Sequence, residues 1–345
     1  MSAPPVVLSL PGPSPAPPSP SPQPDEAIAD DGLLSPALIT DAKARIEDAL
    51  PPTPLLRSER LGAWLKLESL QITGAYKVRG ALNALMAQVA RGDRRAIYVA
   101  SAGNHGLGVA WSARRLGLAA TIVVPDEAPD VKTAGCLALG ARVVRGGDTF
   151  ERCATAARAL AAAHDGRFLH AFDDPEVIAG QSTVATELLA LRPDVVVIPI
   201  GGGGLIAGMG SVLRRAGIRV VGVQVAGVDS LRRALGRQAS GQQPHAGAVP
   251  QATTLADGLR VGVPGRLPLR IAAAFLDEIV VVDEAEVAAA MLTLALGEHV
   301  VAEGAGAVAV AALARVTGQR RVAIVSGGNV DAGVLARLMA DAPAA

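Results

Sequence analysis

Short runs of β-branched, almost wholly apolar residues recur along this chain, separated by Ala- and Leu-rich stretches, and no other feature narrows the fold as much. The runs are Ile97–Ala100, Thr121–Val124, Ala141–Val144, Val195–Ile200, Val220–Val225, Ile279–Val282 and Val322–Val325, and Trp64–Leu67 is strand-like as well. A strand with one wet face alternates apolar and polar residues, whereas a strand covered on both faces has no need to. The intervening stretches show helical spacing, as at Val287, Met291 and Leu294, which stand at i, i+4 and i+7. Strands alternating with helices build parallel sheets with helices on both faces, so the expected class is α/β. At 345 residues the chain can hold two domains, or one large α/β domain with an insert. No internal repeat and no obvious long linker follow residue 33, so a second domain is expected as an insert.

Several function classes fall away on composition. Lys+Arg and Asp+Glu are equal at 32 each, so no electrostatic footprint marks nucleic acid or a membrane surface as a partner. Aromatic residues are 2% of the chain, too few for base-stacking platforms. No apolar stretch is long enough to span a bilayer. Two cysteines, Cys136 and Cys153, make neither a disulfide framework nor a structural zinc site and are expected as small buried hydrophobes. Residues 1–31 hold ten of the 24 prolines, all within the first 24 positions, and are expected to be a disordered tail. No Lys or Arg precedes Lys43, which argues against a signal peptide. The expectation is a soluble, cytoplasmic protein that handles a small molecule.

Only four of the 32 basic residues are lysines: Lys43, Lys66, Lys77 and Lys132. An amine can bond covalently to an aldehyde and change protonation state, and a guanidinium cannot, so each lysine in so Arg-rich a chain merits inspection. Lys77 lies in Thr73-Gly-Ala-Tyr-Lys-Val-Arg-Gly80, at a turn before an Ala/Leu helix, where the helix dipole favours the neutral amine. Ser101-Ala-Gly-Asn-His-Gly106 follows a strand and opens a helix, which leaves backbone N–H groups pointing outward for a carboxylate or phosphate. Gly201-Gly-Gly-Gly204 does the same after Val195–Ile200. Four glycines in a row weaken a fold unless the backbone must wrap an anion closely. Gly202, Gly204 and Ala207 also fit the dinucleotide pattern G-x-G-x-x-A, but the following strand carries Gln224 where a ribose-binding carboxylate belongs. The loop therefore suits a lone phosphate. Ser326, in Ser326-Gly-Gly-Asn-Val-Asp331, sets a neutral hydroxyl at a strand end, where it could meet a ring nitrogen. A phosphate loop, a scarce lysine and neutral hydrogen-bonding groups together suggest pyridoxal 5′-phosphate.

The chain resembles the fold-type II pyridoxal-phosphate enzymes of the threonine/serine dehydratase family, which includes serine racemases. Matching stretches run in order from residue 50 to 331: LPPTPL, KLESLQITGAYKVRGALNAL, ASAGNHGLGVA, PDEAPDVK, FDDPEVIAGQSTVATELL, IPIGGGGLIAG, TLADGL, EGAGAVAVAAL and SGGNVD. The resemblance implies a tryptophan synthase β-like fold with two open, twisted, mostly parallel sheets. It implies a large cofactor-binding domain over 32–94 and 171–342, with a small domain inserted at 95–170. Lys77 would hold the cofactor aldehyde and act as the base on Cα–H. Gly201, Gly202, Gly203, Gly204 and Leu205 would bind the phosphate, Asn104 the 3′ oxygen and Ser326 the pyridine nitrogen, with Tyr76 near the ring face. Ser101, Ala102, Gly103, Asn104 and His105 would frame the substrate carboxylate. Glu303 is expected near the cofactor, without an assigned role. The implied reaction is β-elimination of water from L-threonine or L-serine, giving a 2-oxo acid and ammonia. A dimer or tetramer is implied too.

Departures from the family pattern qualify these roles. Ala75 and Tyr76 stand where Ser and Phe are usual, which adds a hydroxyl near the ring. Ala102 replaces the serine that serves racemases as the opposite-face acid, so racemisation is expected to be weak. Gln224 replaces a metal-binding carboxylate, so no activating divalent metal is expected. Sixteen residues follow Asn329, too few for a C-terminal amino-acid-sensing domain, which favours a catabolic role. Two alternatives stay open: a lyase or racemase for another β-substituted amino acid (3-hydroxyaspartate, phenylserine or an ectoine-derived one), and a non-catalytic ligand-binding homologue.

Overall fold

The computed structural model describes residues 23, 25–101, 103–128, 130–244, 253–276 and 278–341, with the backbone alone at 130–132. Its ten strands are β1 (Leu55–Ser58), β2 (Ala63–Leu67), β3 (Ile97–Ala100), β4 (Ala120–Val124), β5 (Arg142–Arg145), β6 (Arg167–Phe168), β7 (Val195–Pro199), β8 (Arg219–Val225), β9 (Ile279–Val282) and β10 (Arg321–Val325). They form a six-stranded sheet in the order β1-β2-β10-β7-β8-β9 and a four-stranded sheet in the order β5-β4-β3-β6. Every pairing is parallel except β1 with β2.

The apolar runs become strands because both sheet faces are covered. Along β7, Val195 and Val197 enter one hydrophobic cluster and Val196 and Ile198 the other, so successive side chains point into opposite cores. The same division holds in the smaller sheet. Ile97, Val99, Ile122 and Val124 pack toward the helix Asn104–Leu116, while Ala100 and Val123 pack on Cys153, Ala154 and Ala157 of the helix Phe150–Ala163. Cys136 and Cys153 are free and buried, and burial pushes the Cys136 thiol up to about 11.

Two strands lie outside the expected set. β1 is an antiparallel edge strand with exposed Leu56 and Arg57, and β6 is two residues long. Neither carries a β-branched apolar run, the feature that marks most of the other strands. The N-terminal boundary also differs. Residues 1–22 and 24 lie outside the described residues, but from Asp25 onward the segment expected as tail is part of the fold. Ala27 is fully buried, Ile28 bridges to Leu34, and Arg215 and Arg270 pair with Asp31 at 2.8 Å and Asp25 at 2.6 Å. The prolines run up to Pro24, immediately before these acidic residues, and the two arginines that hold them are almost 200 residues or more away in sequence.

Three helices fix the frame of the site. The helix Lys77–Ala90 packs on Pro175–Thr186, which packs on Gly204–Arg215. Glycines let the backbones touch. A Cβ on Gly180 would lie 2.5 Å from the Arg79 carbonyl oxygen, and one on Gly208 would lie 2.4 Å from that of Ile178. Lys77 and Gly204 are the first residues of the outer two of these three packed helices.

Candidate active site

Four strand-to-helix junctions carry the candidate residues, as expected for an open α/β sheet. Two of them are joined directly. The Tyr76 backbone N–H donates to the Ser326 carbonyl at 3.1 Å, Ala75 bridges to Gly327, and the Gly328 N–H donates to the Gly74 carbonyl at 2.8 Å. Gly74 sits at φ +72°, and a Cβ there would fall 2.3 Å from Asn329 Oδ1. The turn can therefore lie against Asn329 only as glycine. Ser326 is buried, and its Oγ donates to the Ala305 carbonyl at 3.3 Å.

Lys77 begins its helix beyond this turn. Its Nζ donates to the Ala171 carbonyl at 3.2 Å and lies 5.2 Å from the centre of the Tyr76 ring. Burial lowers its pKa to about 8, against the opposing pull of the Glu303 charge. The amine is therefore partly neutral near physiological pH. Burial, with the Glu303 charge adding, pushes the Tyr76 phenol well above its usual range, so it remains a neutral hydroxyl.

The glycine loop is closed from outside by side chains. A Cβ on Gly202 would meet the Phe172 ring at 2.5 Å, one on Gly203 would meet Pro268 at 2.8 Å, and one on Gly204 would meet Phe172 Cβ at 3.0 Å. Gly203 adopts φ +95°, a left-handed conformation that favours glycine. The loop opens the helix Gly204–Arg215, whose first N–H groups have no partner inside the helix. Leu205, the next residue, is buried.

In the remaining junction, Ser101 Oγ accepts from the Gly103 N–H at 3.2 Å, and Asn104 opens the helix Asn104–Leu116. Ala102 lies outside the described residues. Asn104 Nδ2 donates to Glu303 Oε1 at 2.6 Å, and its Oδ1 accepts from Asn329 Nδ2 at 2.7 Å. The His105 side chain is buried. Burial foremost, then the charges of Lys77 and His170, push its imidazole down to about 3, so it is neutral. A carboxylate in this corner would meet the backbone of His105 and not a charged ring.

Two groups near the site carry no role in the sequence motifs. Ala171 and Phe172 connect both halves, one accepting from Lys77 and the other walling the glycine loop. His170 Nδ1 accepts from the Asp173 N–H at 3.0 Å and so helps to hold this segment in place. The stretch FDDPEVIAGQ was visible as a motif, but nothing in its residue types reveals that contact. Gln224 is fully buried. Its Oε1 accepts from the Arg232 N–H at 2.9 Å and its Nε2 donates to the Ile200 carbonyl at 3.4 Å. Asp229 pairs with Arg232 and Arg233. Among the described residues, no group of three or more His, Cys, Asp or Glu is placed to hold a metal, and no helix is long and apolar enough to cross a membrane.

A model of the pyridoxal-phosphate dependent enzyme family matches residues 46–328. The chain belongs to that family. It is 38% identical over 314 residues to an L-threonine ammonia-lyase of Thermotoga maritima, covering 87% of this chain and 77% of the relative. A solved threonine deaminase, that of T.th., is 34% identical with a TM-score of 0.78, covering 86% of this chain and 99% of that one. A pyridoxal 5′-phosphate-dependent aspartate racemase superposes with a TM-score of 0.80 at 26% identity, covering 86% and 95%. The residues present fit the family's cofactor. A glycine loop with no room for Cβ atoms suits a phosphate, an amine of lowered pKa suits an aldehyde, and a buried hydroxyl at a strand end suits a ring nitrogen without charging it.

Proposed function

We propose that this protein is a pyridoxal-phosphate-dependent ammonia-lyase that eliminates water from L-threonine or L-serine, releasing 2-oxobutanoate or pyruvate with ammonia. The observation that carries the reading is the Lys77 amine, half-buried at a helix start with its pKa lowered and joined through its own turn to Ser326. The threonine ammonia-lyase and threonine deaminase among the similar proteins support the substrate class.

When bound, the cofactor supplies an electron sink that acidifies the substrate Cα–H. Gly201 to Gly204 and Leu205 would hold the phosphate through backbone N–H groups at the helix start. Backbone groups of Ser101 to His105 receive the substrate carboxylate. Lys77, with Nζ kept at the Ala171 carbonyl, accepts the Cα proton at Nζ. Ser326 would offer the ring nitrogen a neutral partner if its Oγ–H turned from the Ala305 carbonyl to donate there, which would leave that nitrogen uncharged and favour elimination over transamination. Tyr76 lies beside Nζ and would stand near the ring face of the cofactor.

We further infer that residues 95–170 form a small domain inserted in the large one, that the protein assembles as a dimer or tetramer, and that it acts in the cytoplasm. Sedimentation of the loaded protein tests the assembly. Borohydride reduction of the loaded protein followed by peptide mapping tests the lysine: the label should fall on Lys77. Lys77→Ala should lower elimination roughly a thousandfold or more. A label on another lysine, or turnover close to wild type in the variant, would refute the assignment. The aspartate racemase likeness favours one second reading, racemisation, which chiral analysis of the recovered amino acid tests.

A further inference from the structure

Three of these junctions also meet through a side-chain relay. Asn329 Nδ2 donates to the Thr73 carbonyl at 2.8 Å and to Asn104 Oδ1 at 2.7 Å, and Asn104 Nδ2 donates to Glu303 Oε1 at 2.6 Å. The direction of this chain is fixed by its ends, because a backbone carbonyl and a carboxylate can only accept. Thr73 requires the nitrogen end of Asn329. The second hydrogen of that nitrogen requires the oxygen end of Asn104. Glu303 in turn requires the nitrogen end of Asn104.

Glu303 is itself held in place. It is the N-cap residue of the helix Gly304–Ala311, and its backbone N–H donates to the Gly327 carbonyl at 3.1 Å. A Cβ on Gly327 would fall 2.2 Å from Glu303 Oε1, so the carboxylate needs the glycine beneath it. A short polar side chain at an N-cap, Asp for instance, ordinarily turns back onto the N–H groups of the first turn, and Glu303 is longer. This one makes no side-chain cap bond and reaches across to Asn104.

We propose that Glu303 is a positioning residue for the cofactor. Through Asn104 it sets which end of the amide faces the ring, so that Asn104 meets the cofactor's ring oxygen as a hydrogen-bond donor. This rests on the reading of the site as a pyridoxal phosphate site. A carboxylate set directly against an anionic ring oxygen would repel it. With the amide between them, the same charge polarises the N–H that the oxygen receives.

The test titrates apoprotein with pyridoxal phosphate and reads both the dissociation constant and the position of the visible absorbance band. Wild type, Glu303→Ala, Glu303→Gln and Asn329→Ala are compared. Glu303→Ala should weaken binding roughly tenfold or more and shift the band. Glu303→Gln keeps an acceptor oxygen and should recover most of the affinity. Asn329→Ala, which releases the exposed end of the relay, should weaken binding and shift the band in the same direction. Wild-type affinity and an unshifted band in Glu303→Ala would overturn the proposal, and so would Glu303→Gln binding as weakly as the alanine variant. If Glu303→Ala does not fold, an unchanged Asn329→Ala overturns it instead. Failure of the wild type itself to bind would overturn the cofactor reading and this inference with it.

Discussion

Lys66 and Lys77 show what one residue type becomes in two settings. The Lys66 amine donates to the Thr53 carbonyl at 2.6 Å and pairs with Glu187, so its charge is compensated inside the core. Lys77 has a single carbonyl, Ala171, and a pKa near 8. Lysine scarcity draws attention to both, the motif around Lys77 favours that one, and their partners in the fold show the difference. The sign of the Lys77 shift leads to a pH prediction. Capture of an aldehyde needs the neutral amine, so the rate at which apoprotein takes up pyridoxal phosphate should fall as pH drops below about 8 and level off above it. Stopped-flow absorbance across the pH range checks this, and a rate still climbing steeply near the ordinary lysine pKa of 10.5 would contradict it. Stability follows the same linkage. Between about 8 and 10.5 the unfolded chain binds the proton that the folded chain lacks, so apoprotein stability gains a positive slope with pH there, which Lys77→Met should remove. Gln224 supplies a separate residue-scale prediction. Both ends of its amide are engaged with backbone, so EDTA should leave activity unchanged, and a metal-reversible loss would contradict that.

At the scale of elements, the helix that begins at Lys77 is anchored by a buried ionic cluster two residues further on. Arg79 donates to Glu68 at 2.8 Å, to Glu187 at 2.6 Å and to Thr183 at 3.2 Å, and Glu68 also accepts from Thr53. Arg79 and Glu68 are fully or almost fully buried, and the nearby carboxylates raise the guanidinium's pKa despite the cost of burial. Removing the arginine would strand Glu68 without its cation. Arg79→Met should therefore destabilise the protein by about 3–5 kcal/mol, measured by denaturant unfolding of the apoprotein. A change below about 1 kcal/mol would show that the cluster does not anchor the helix. The glycine loop makes a complementary prediction. Gly202→Ala forces a methyl group toward the Phe172 ring, so cofactor affinity should fall while the rest of the fold persists. Equal affinity in the variant would mean that the loop tolerates a side chain.

For the whole molecule, the sequence disclosed the parts better than their joints. Most strands are legible as β-branched apolar runs, the edge strands β5 and β9 among them, whereas β1 (Leu-Leu-Arg-Ser) and the two-residue β6 carry no such run. Lys77, Asn104, the glycine loop and Ser326 were recognisable from motifs, since each needs a particular residue type at a strand-to-helix junction. The reach of Asn329 to Thr73, of Glu303 to Asn104 and of Phe172 to the glycine loop joins positions far apart in the chain. No local spacing encodes such contacts. The same limit hid the N-terminal segment, whose acidic residues find their arginines only in the folded state.

The central claim is the reaction itself, and release of 2-oxo acid from purified, cofactor-loaded protein given L-threonine, with L-serine in parallel, tests it most directly. The account predicts rapid release from at least one of them, lost in Lys77→Ala. A protein that binds the cofactor at Lys77 yet releases no 2-oxo acid from either amino acid would contradict it.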